Sequence, residues 1–242
     1  MRIYGINPVL EALRARRVTA LRVSPRADDR LNEIVRLAEA QGVGVQRVGA
    51  ADLDRAANGA RHQGVVADLA AANARLSVED LVIGASGGAP LIVVLDGIED
   101  PHNVGAIVRS VDAAGADGIV RQSRHAARLD GAAAKASAGA VAHVKVAEVV
   151  NIARALETLK DAGVWTVGLA GDAAKRYSDV DLTLPTAFVV GAEGVGLRRL
   201  VRERCDWLVS IPMAGHVQSL NVSVATGIAL FEAVRQRHAL AR

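Results

Sequence analysis

The chain has little cysteine, few aromatic residues and no long apolar run. Cys205 is the only cysteine among 242 residues, which excludes an internal disulfide and a thiolate-rich metal site. No segment approaches the roughly 18 consecutive apolar residues of a membrane span, and residues 1–8 contain no apolar core of signal-peptide length. These absences predict a cytoplasmic protein that needs no metal and does not enter a membrane.

Aromatic residues make up only 2% of the chain, although 51% of its residues are hydrophobic. The cores must therefore be filled mainly by Ala, Val, Leu and Ile. Such small and aliphatic side chains favour helices packed closely on a parallel sheet. A chain of this length can hold two domains, one small and one of medium size.

Basic charge is in small excess and is unevenly placed. Residues 1–72 hold eleven arginines, no lysine and eight acidic residues, so this part carries the whole net charge of +3. A guanidinium can bind two phosphate oxygens at once, which suits a nucleic-acid partner. A solvated arginine-rich surface is the more common source of such a balance, and charge alone leaves both open.

Residues 1–72 have the pattern of a small α/β domain. Apolar residues recur at helical spacing in two segments, and three short apolar segments are typical of strands. The predicted helices cover residues 7–15 and 29–41, and the predicted strands cover residues 20–23, 43–48 and 64–69. Residues 73–90, rich in alanine and then in glycine, follow as a predicted linker, and residues 91–242 form the second predicted domain.

Arg61, His62 and Gln63 lie in the turn before the last of these strands. A guanidinium, an imidazole and an amide side by side can grip a phosphate or a base edge. A polar surface turn explains the same residues equally well. The three are therefore candidate RNA-binding residues, with both interpretations open.

The second domain alternates apolar strands with helices. Because the strands show no polar alternation, they indicate a parallel sheet covered on both faces. They are predicted at residues 91–95, 118–120, 141–146, 164–169, 187–190 and 207–211. Ligands of such folds bind beyond the carboxyl ends of the strands, and three loops of interest lie there.

The first loop leads from the strand at residues 91–95 into a helix predicted at residues 104–114. Asn103 stands where a helix cap is expected. Arg109 lies six residues later among apolar neighbours, at the edge of the predicted core. A surface arginine is the ordinary alternative for Arg109.

The second loop, Gly-Ala-Glu-Gly-Val-Gly at residues 191–196, follows a strand. Its glycines run G-x-x-G-x-G, whereas a dinucleotide-binding loop has the order G-x-G-x-x-G, so a Rossmann site is only a weak alternative. A tight turn that carries a loop carboxylate, Glu193, is the simplest explanation of the segment taken alone.

The third loop joins the last strand to the last helix. Pro212 has no N–H for a sheet ladder, so the chain leaves the sheet there. Ser219 or Asn221 can cap the following helix, and a cap explains each of them singly. With Ser223 they place three polar residues in five positions, which favours a binding site. The apolar residues of this helix recur at steps of three and four, which predicts one buried face formed by Val224, Ile228 and Phe231.

Together the loops carry N-x-G-x-x-x-R at residues 103–109, G-x-E-x-x-G at 191–196 and I-P-M-x-G-x-x-x-S-L-N-V-S at 211–223. In order and spacing these patterns resemble the three motifs of the SpoU (TrmH) class of SPOUT RNA 2'-O-methyltransferases. The segments G-I-N-P-V-L-E-A-L at residues 5–13 and H-Q-G-V-V-A at 62–67 resemble the small substrate-binding domain of the same family.

The resemblance implies a fold and a cofactor. The expected fold is α/β: a C-terminal parallel-sheet SPOUT domain with a deep trefoil knot, preceded by a small α/β substrate-binding domain. The family acts as a homodimer whose active site is completed across the interface. The expected cofactor is S-adenosyl-L-methionine, bound in a bent form in the knot. The residues implied for cofactor binding are Gly191, Gly196, Ile211, Met213 and Leu220.

The resemblance also implies a catalytic set, which comprises Asn103, Arg109, Glu193, Ser219 and Asn221. Arg109 is expected at the ribose hydroxyl. Because a guanidinium stays protonated in proteins, stabilisation of the developing alkoxide is favoured for Arg109 over action as a general base. His216 in the third loop ranks below Arg109, since the family pattern leaves its position free.

The N-terminal domain selects among the possible substrates. Family members with this domain are similar to enzymes that methylate a guanosine of 23S large-subunit rRNA, whereas the tRNA-modifying members typically lack it. A tRNA or rRNA-adenosine 2'-O-methyltransferase of the same class is the alternative. An RNA-binding protein that has lost the activity is the rival from another class, and the intact motif residues argue against it.

Overall fold

The computed structural model describes residues 1–25, 28–70, 76–85, 88–124 and 126–240. The chain forms two compact units, one of residues 1–74 and 128–143 and one of residues 75–127 and 144–242. In chain order the elements are β1 (Arg2–Tyr4), α1 (Ile6–Arg14), β2 (Val18–Val23), α2 (Asp29–Ala40), β3 (Gly44–Arg47), α3 (Ala50–Ala56), β4 (Val65–Leu69), α4 (Val78–Ile83), β5 (Leu91–Asp96), α5 (Pro101–Ala113), β6 (Gly118–Gln122), α6 (Gly131–Ala136), β7 (Val146–Val149), α7 (Ile152–Asp161), β8 (Trp165–Leu169), β9 (Lys175–Arg176), β10 (Thr186–Gly191), α8 (Arg199–Arg204), β11 (Trp207–Ser210) and α9 (Val222–Leu240). Within the described part of the chain, no helix has the length and apolar character needed to cross a membrane.

The first unit contains a four-stranded sheet in the order β1-β4-β2-β3. Strands β1 and β2 run antiparallel to β4, and β3 runs parallel to β2. The two predicted helices and three predicted strands of this region are confirmed, each end within two residues of the observed one. Helices α1 and α2 bury the apolar faces that their periodicity indicated, which include Val9, Leu13, Leu31 and Ile34. Strand β1 and helix α3 were not predicted from the sequence.

The division between the units departs from the predicted domain boundaries in two places. Residues 128–143, placed by sequence within the domain of residues 91–242, pack with the first unit. There the Arg17 guanidinium donates to the carbonyl oxygens of Val141 and Ala142 at 3.4 and 3.3 Å. The predicted linker, residues 73–90, contains helix α4, and its residues 73–75 and 86–87 lie outside the described residues.

The strand predicted at residues 141–146 is wrong. Ala138 and Gly139 adopt left-handed φ angles of 53° and 100°, which turn the chain. A short 3-10 helix, Ala140–Ala142, follows, and β7 begins only at Val146. Val141 and Ala142 are buried because this turn packs on α1, and burial without an extended backbone gives an apolar pattern like that of a strand.

The second unit contains a seven-stranded sheet in the order β7-β6-β5-β10-β8-β11-β9. Each of its described strand pairings is parallel, which confirms the predicted parallel α/β sheet. All six residues of the central strand β5 are buried, as expected from its continuous apolar run. Parallel pairing brings the carboxyl ends of β5, β8, β10 and β11 to one edge of the sheet, where the three motif loops begin.

Helix α9 buries a different face from the predicted one. Val224 and Phe231 are 49% and 50% exposed, and Ile228 is only half-buried, so the predicted buried face is wrong. The buried residues are Val222, Thr226, Ala229, Leu230 and Ala233. The helix packs on α5 and β10 and is apolar on two sides, so periodicity could not select the side that faces the sheet.

Candidate active site

A cavity of about 630 Å³ opens at the carboxyl edge of the second unit's sheet. This volume is typical of a small-molecule site. The loops after β8, β10 and β11 and the first turn of α9 form its walls. The lining comprises residues 169–172, 190–197, 218–222, Arg202, Val209, Ile211, Met213 and Ala225.

The loop after β10 closes tightly on itself. The N–H of Gly196 donates to the carbonyl oxygen of Ala192 at 2.8 Å. A Cβ added at Gly191 would lie 2.1 Å from the carbonyl carbon of Gly196 and 2.4 Å from the nitrogen of Leu197. Position 191 therefore admits no side chain, and the backbone there forms part of the cavity wall.

Asp96, at the end of β5, links the start of the first motif loop to Arg198, which follows the second motif loop. This carboxylate is 1% exposed and accepts hydrogen bonds from the backbone N–H and the Nε of Arg198 at 2.8 and 2.7 Å. The Arg198 side chain is 49% exposed, but the buried Asp96 carboxylate would be left unpaired without it, so the pair links the two loops. This pair was not predicted from the sequence.

Asn221 joins all three motifs. Its Nδ2 donates to Oδ1 of Asn103 at 2.9 Å and to Oε1 of Glu193 at 2.5 Å. Its Oδ1 accepts from the N–H of Ser223 at 2.9 Å and from the hydroxyl of Ser223 at 2.6 Å. Asn221 therefore caps α9 with its oxygen and links the first and second motifs with its nitrogen.

Asn103 does not cap a helix as expected. Helix α5 begins earlier, with Pro101 in the first turn, where the missing N–H of proline is harmless. The cap is Asp100, whose carboxylate accepts from the N–H of His102 at 3.0 Å. Asn103 is instead a helical residue, 7% exposed, and this position aims its side chain at Asn221.

The predicted cofactor-binding residues share one location. All five of them line the cavity, namely Gly191, Gly196, Ile211, Met213 and Leu220. Glu193, Ser219 and Asn221 also line it. The loops after β10 and β11 thus bring eight predicted site residues around one space, and their individual roles stay predictions.

Arg109 is not at this cavity. It is exposed on α5, and it makes no hydrogen bond or ion pair with any residue that the structure describes. Six residues of helix rotate its side chain by about 240° relative to Asn103, so the two point in different directions. His216 is exposed and likewise absent from the cavity lining.

The candidate RNA-binding residues form a turn in the first unit. His62 Nδ1 accepts the N–H of Gly64 at 3.0 Å, and Gln63 Oε1 accepts the N–H of Ile6 at 3.2 Å. These two side chains therefore hold the turn in shape. Arg61 is exposed, and RNA binding by the three residues stays a prediction.

Sequence reasoning missed the loop after β8, which contributes residues 169–172 to the cavity. It also missed Arg202 of α8, whose Nη1 and Nη2 lie 2.9 and 3.0 Å from the two carboxylate oxygens of Asp172. The strand at residues 164–169 had been predicted, so the rule that ligands bind beyond strand ends could have found this loop.

The chain belongs to the SpoU rRNA Methylase family. Residues 90–231 match that family, and residues 2–74 match the domain described as RNA 2'-O ribose methyltransferase substrate binding. The family predicted from the three motifs and the N-terminal segments is confirmed.

Relatives of known type cover both units. Over 242 residues the chain is 46% identical to the 23S rRNA (guanosine-2'-O-)-methyltransferase RlmB of Vibrio cholerae, with 98% of this chain and 96% of the relative aligned. It is 45% identical over 236 residues to the RlmB of Photobacterium profundum, with 97% and 96% aligned. Among solved structures, the SpoU methyltransferase AviRb of Streptomyces viridochromogenes in complex with the cofactor AdoMet has a TM-score of 0.81 and 28% identity, covering 99% of this chain and 91% of that chain.

Replacing Asn221 by alanine tests its joining role. The change removes the cap of α9 and both bonds to the other motifs, so we expect a loss of about 1–2 kcal/mol in the free energy of unfolding and a much lower methyl-transfer rate. Asn151 caps α7 through an equivalent bond to the N–H of Arg154, at 3.2 Å, and does not line the cavity. Asn151→Ala is therefore the matched control, with a similar loss of stability and an unchanged rate. Equal rates in the two variants would contradict the assignment.

Proposed function

We propose that this protein transfers the methyl group of S-adenosyl-L-methionine to the ribose 2'-hydroxyl of a guanosine in 23S rRNA. One observation carries the proposal: Asn221 and Glu193 line the cavity, and Asn221 hydrogen-bonds both Glu193 and Asn103, which stands behind the lining, so that residues of all three family motifs are joined beside one cavity. The substrate rests on the full-length relatives, which are named for 23S rRNA guanosine. The presence of every motif residue argues against an inactive RNA-binding protein.

The cavity suits the cofactor. Gly191 forms part of the cavity wall, because the loop backbone at Gly196 packs where a side chain would stand, and Ile211, Met213 and Leu220 offer apolar contacts. When bound, S-adenosyl-L-methionine supplies a methyl group already activated by its sulfonium. The protein must therefore hold the ribose hydroxyl in line with that methyl and help it lose its proton.

We assign that second task to Arg109. Arg109 would stabilise the negative charge that develops on the 2'-oxygen as that oxygen loses its proton. The hydroxyl proton leaves to water or to an RNA phosphate. Asn103, Glu193 and Ser219 position the nucleotide beside the cofactor.

The location of Arg109 supports a homodimer. Its side chain is exposed and stands outside the cavity of its own chain, so we propose that it completes the active site of a second copy. The exposed stripe of α9 that contains Val224 and Phe231 is our candidate for the interface, because large apolar side chains in contiguous exposed patches mark association surfaces. The trefoil knot, the cytoplasmic location and RNA binding by Arg61 stay predictions.

Phe231→Glu tests the dimer. A charge in the middle of the stripe should turn the protein into monomers in analytical ultracentrifugation, because an unpaired charge cannot be buried in an apolar interface. Methyl transfer should fall with the loss of dimer, while S-adenosyl-L-methionine still binds. Ile83→Glu, at a position that is 83% exposed on α4, is the control and should leave the dimer intact. A dimeric Phe231→Glu protein would contradict this interface.

A transfer assay tests the reaction itself. The protein is incubated with methyl-labelled S-adenosyl-L-methionine and either 23S rRNA or bulk tRNA, and the RNA is digested to nucleosides for mass spectrometry. The proposal predicts labelled 2'-O-methylguanosine from 23S rRNA. Label in a base methyl group, in 2'-O-methyladenosine or mainly in tRNA would overturn it.

A further inference from the structure

An ion pair outside the three motifs stands on the cavity wall. Asp172 lies in the turn after β8, where the N–H of Ala173 donates to the carbonyl of Ala170 at 3.1 Å. Both carboxylate oxygens of Asp172 accept from Arg202, at 2.9 and 3.0 Å, in the two-pronged geometry of a guanidinium and a carboxylate. Both residues line the cavity.

This ion pair contributes little to the stability of the fold. The side chains of Arg202 and Asp172 are 38% and 71% exposed, and exposed ion pairs contribute little to stability. The Arg202 guanidinium holds the pKa of the Asp172 carboxyl below its usual range, so both groups are charged at neutral pH. The pair is thus a set of two fixed opposite charges facing a ligand cavity.

The charges of the cavity complement those of the cofactor. Among the described residues that line it, the charged ones are Asp172, Glu193 and Arg202, which carry a net charge of −1. S-adenosyl-L-methionine carries a positive sulfonium and an α-ammonium against one α-carboxylate. Its amino-acid end therefore bears the same two opposite charges as the pair.

Building on the proposed function, we propose that Arg202 binds the α-carboxylate of S-adenosyl-L-methionine and that Asp172 binds its α-ammonium. A guanidinium offers five N–H donors, so Arg202 can take a second carboxylate while it stays close to Asp172. When the ligand binds, the ion pair between Asp172 and Arg202 is replaced by two ion pairs with the ligand, so each charge keeps a partner of opposite sign. The pair thereby selects ligands that carry the methionine end over those that carry adenosine alone.

Calorimetry with two ligands tests this assignment. The ligands are S-adenosyl-L-methionine and 5'-methylthioadenosine, which keeps the adenosine and the sulfur but lacks the amino-acid end. Removing a charge-assisted pair should weaken the first ligand at least about tenfold in Arg202→Ala and in Asp172→Asn. The affinity of both variants for methylthioadenosine should stay within about twofold of the wild type, since uncharged contacts are untouched. Arg202→Lys should recover part of the loss, because an ammonium supplies the charge without the fork.

Arg199→Ala is the matched control. Arg199 lies on the same helix, pairs with Glu203 at 2.8 Å and does not line the cavity, so both affinities should be unchanged. Circular dichroism of each variant checks that it is folded. Equal weakening of the two ligands in Arg202→Ala, or no weakening, would overturn this assignment and leave the proposed function standing. A wild-type protein that binds neither ligand would overturn both.

Discussion

Replacing Arg109 by alanine is expected to lower the rate of methyl transfer by about a hundred- to a thousandfold, the usual effect of losing one group that stabilises a developing oxyanion. The dissociation constant for S-adenosyl-L-methionine should barely change, because the contact that we propose for Arg109 is with the ribose hydroxyl of the RNA and Arg109 does not line the cavity of its own chain. The fold should also be unaffected, since this exposed side chain has no polar partner among the described residues. Transfer rates at saturating RNA together with calorimetry measure these quantities separately.

Two further variants sharpen the test of Arg109. Arg109→Lys keeps a positive charge, and it should recover part of the rate if the side chain acts electrostatically. Arg154→Ala removes an exposed arginine from α7, outside the cavity, and should leave the rate at the wild-type level. If the Arg109→Ala protein turns over normally, the assignment is wrong.

Gly191→Ala is expected to abolish binding of S-adenosyl-L-methionine and to lower the free energy of unfolding by about 3 kcal/mol. The added Cβ would stand 2.1 Å from the carbonyl carbon of Gly196, and backbone atoms of a closed loop cannot move aside as a flexible side chain could. The loop must therefore open, which removes one wall of the cavity. Calorimetry and thermal unfolding measure the two effects.

The matched control for Gly191 lies outside the cavity. Gly163 has a φ of +76°, but an added Cβ would meet nothing within 4 Å. Gly163→Ala should therefore incur only the strain of a left-handed residue, about 1–2 kcal/mol, and should still bind the cofactor. Normal cofactor affinity in Gly191→Ala would show that the backbone at position 191 does not form the site.

Five of the seven described strands of the second unit, and two of the loops that line the cavity, could be predicted from the sequence for a physical reason. A parallel sheet covered on both faces needs uninterrupted apolar strands, and β5 and β10 show them plainly. The carboxyl ends of such strands share one edge of the sheet. Gly191 and Ile211, which are distant in the sequence, are therefore expected to lie close together. The cavity lining confirms this grouping.

Local sequence patterns gave wrong or no predictions where tertiary contacts determine which residues are buried or paired. Helix α9 is apolar on two sides, and only the sheet beside it determines that Leu230 is buried while Phe231 is half exposed. An amide before an apolar helix is typical of a cap, which predicts one at Asn103, yet helix α5 already begins at Pro101. The ion pair of Asp172 and Arg202 joins residues 30 positions apart, which no local pattern reveals.

Whole-transcriptome mapping of ribose methylation tests the central claim most directly. A strain from which the gene has been deleted is compared with the same strain complemented by the wild-type protein or by Arg109→Ala. We expect one guanosine of 23S rRNA to lose its 2'-O-methyl group on deletion, to regain it with the wild-type protein and to remain unmethylated with the variant. Unchanged methylation of every 23S rRNA guanosine, or a mark lost from tRNA instead, would contradict the account.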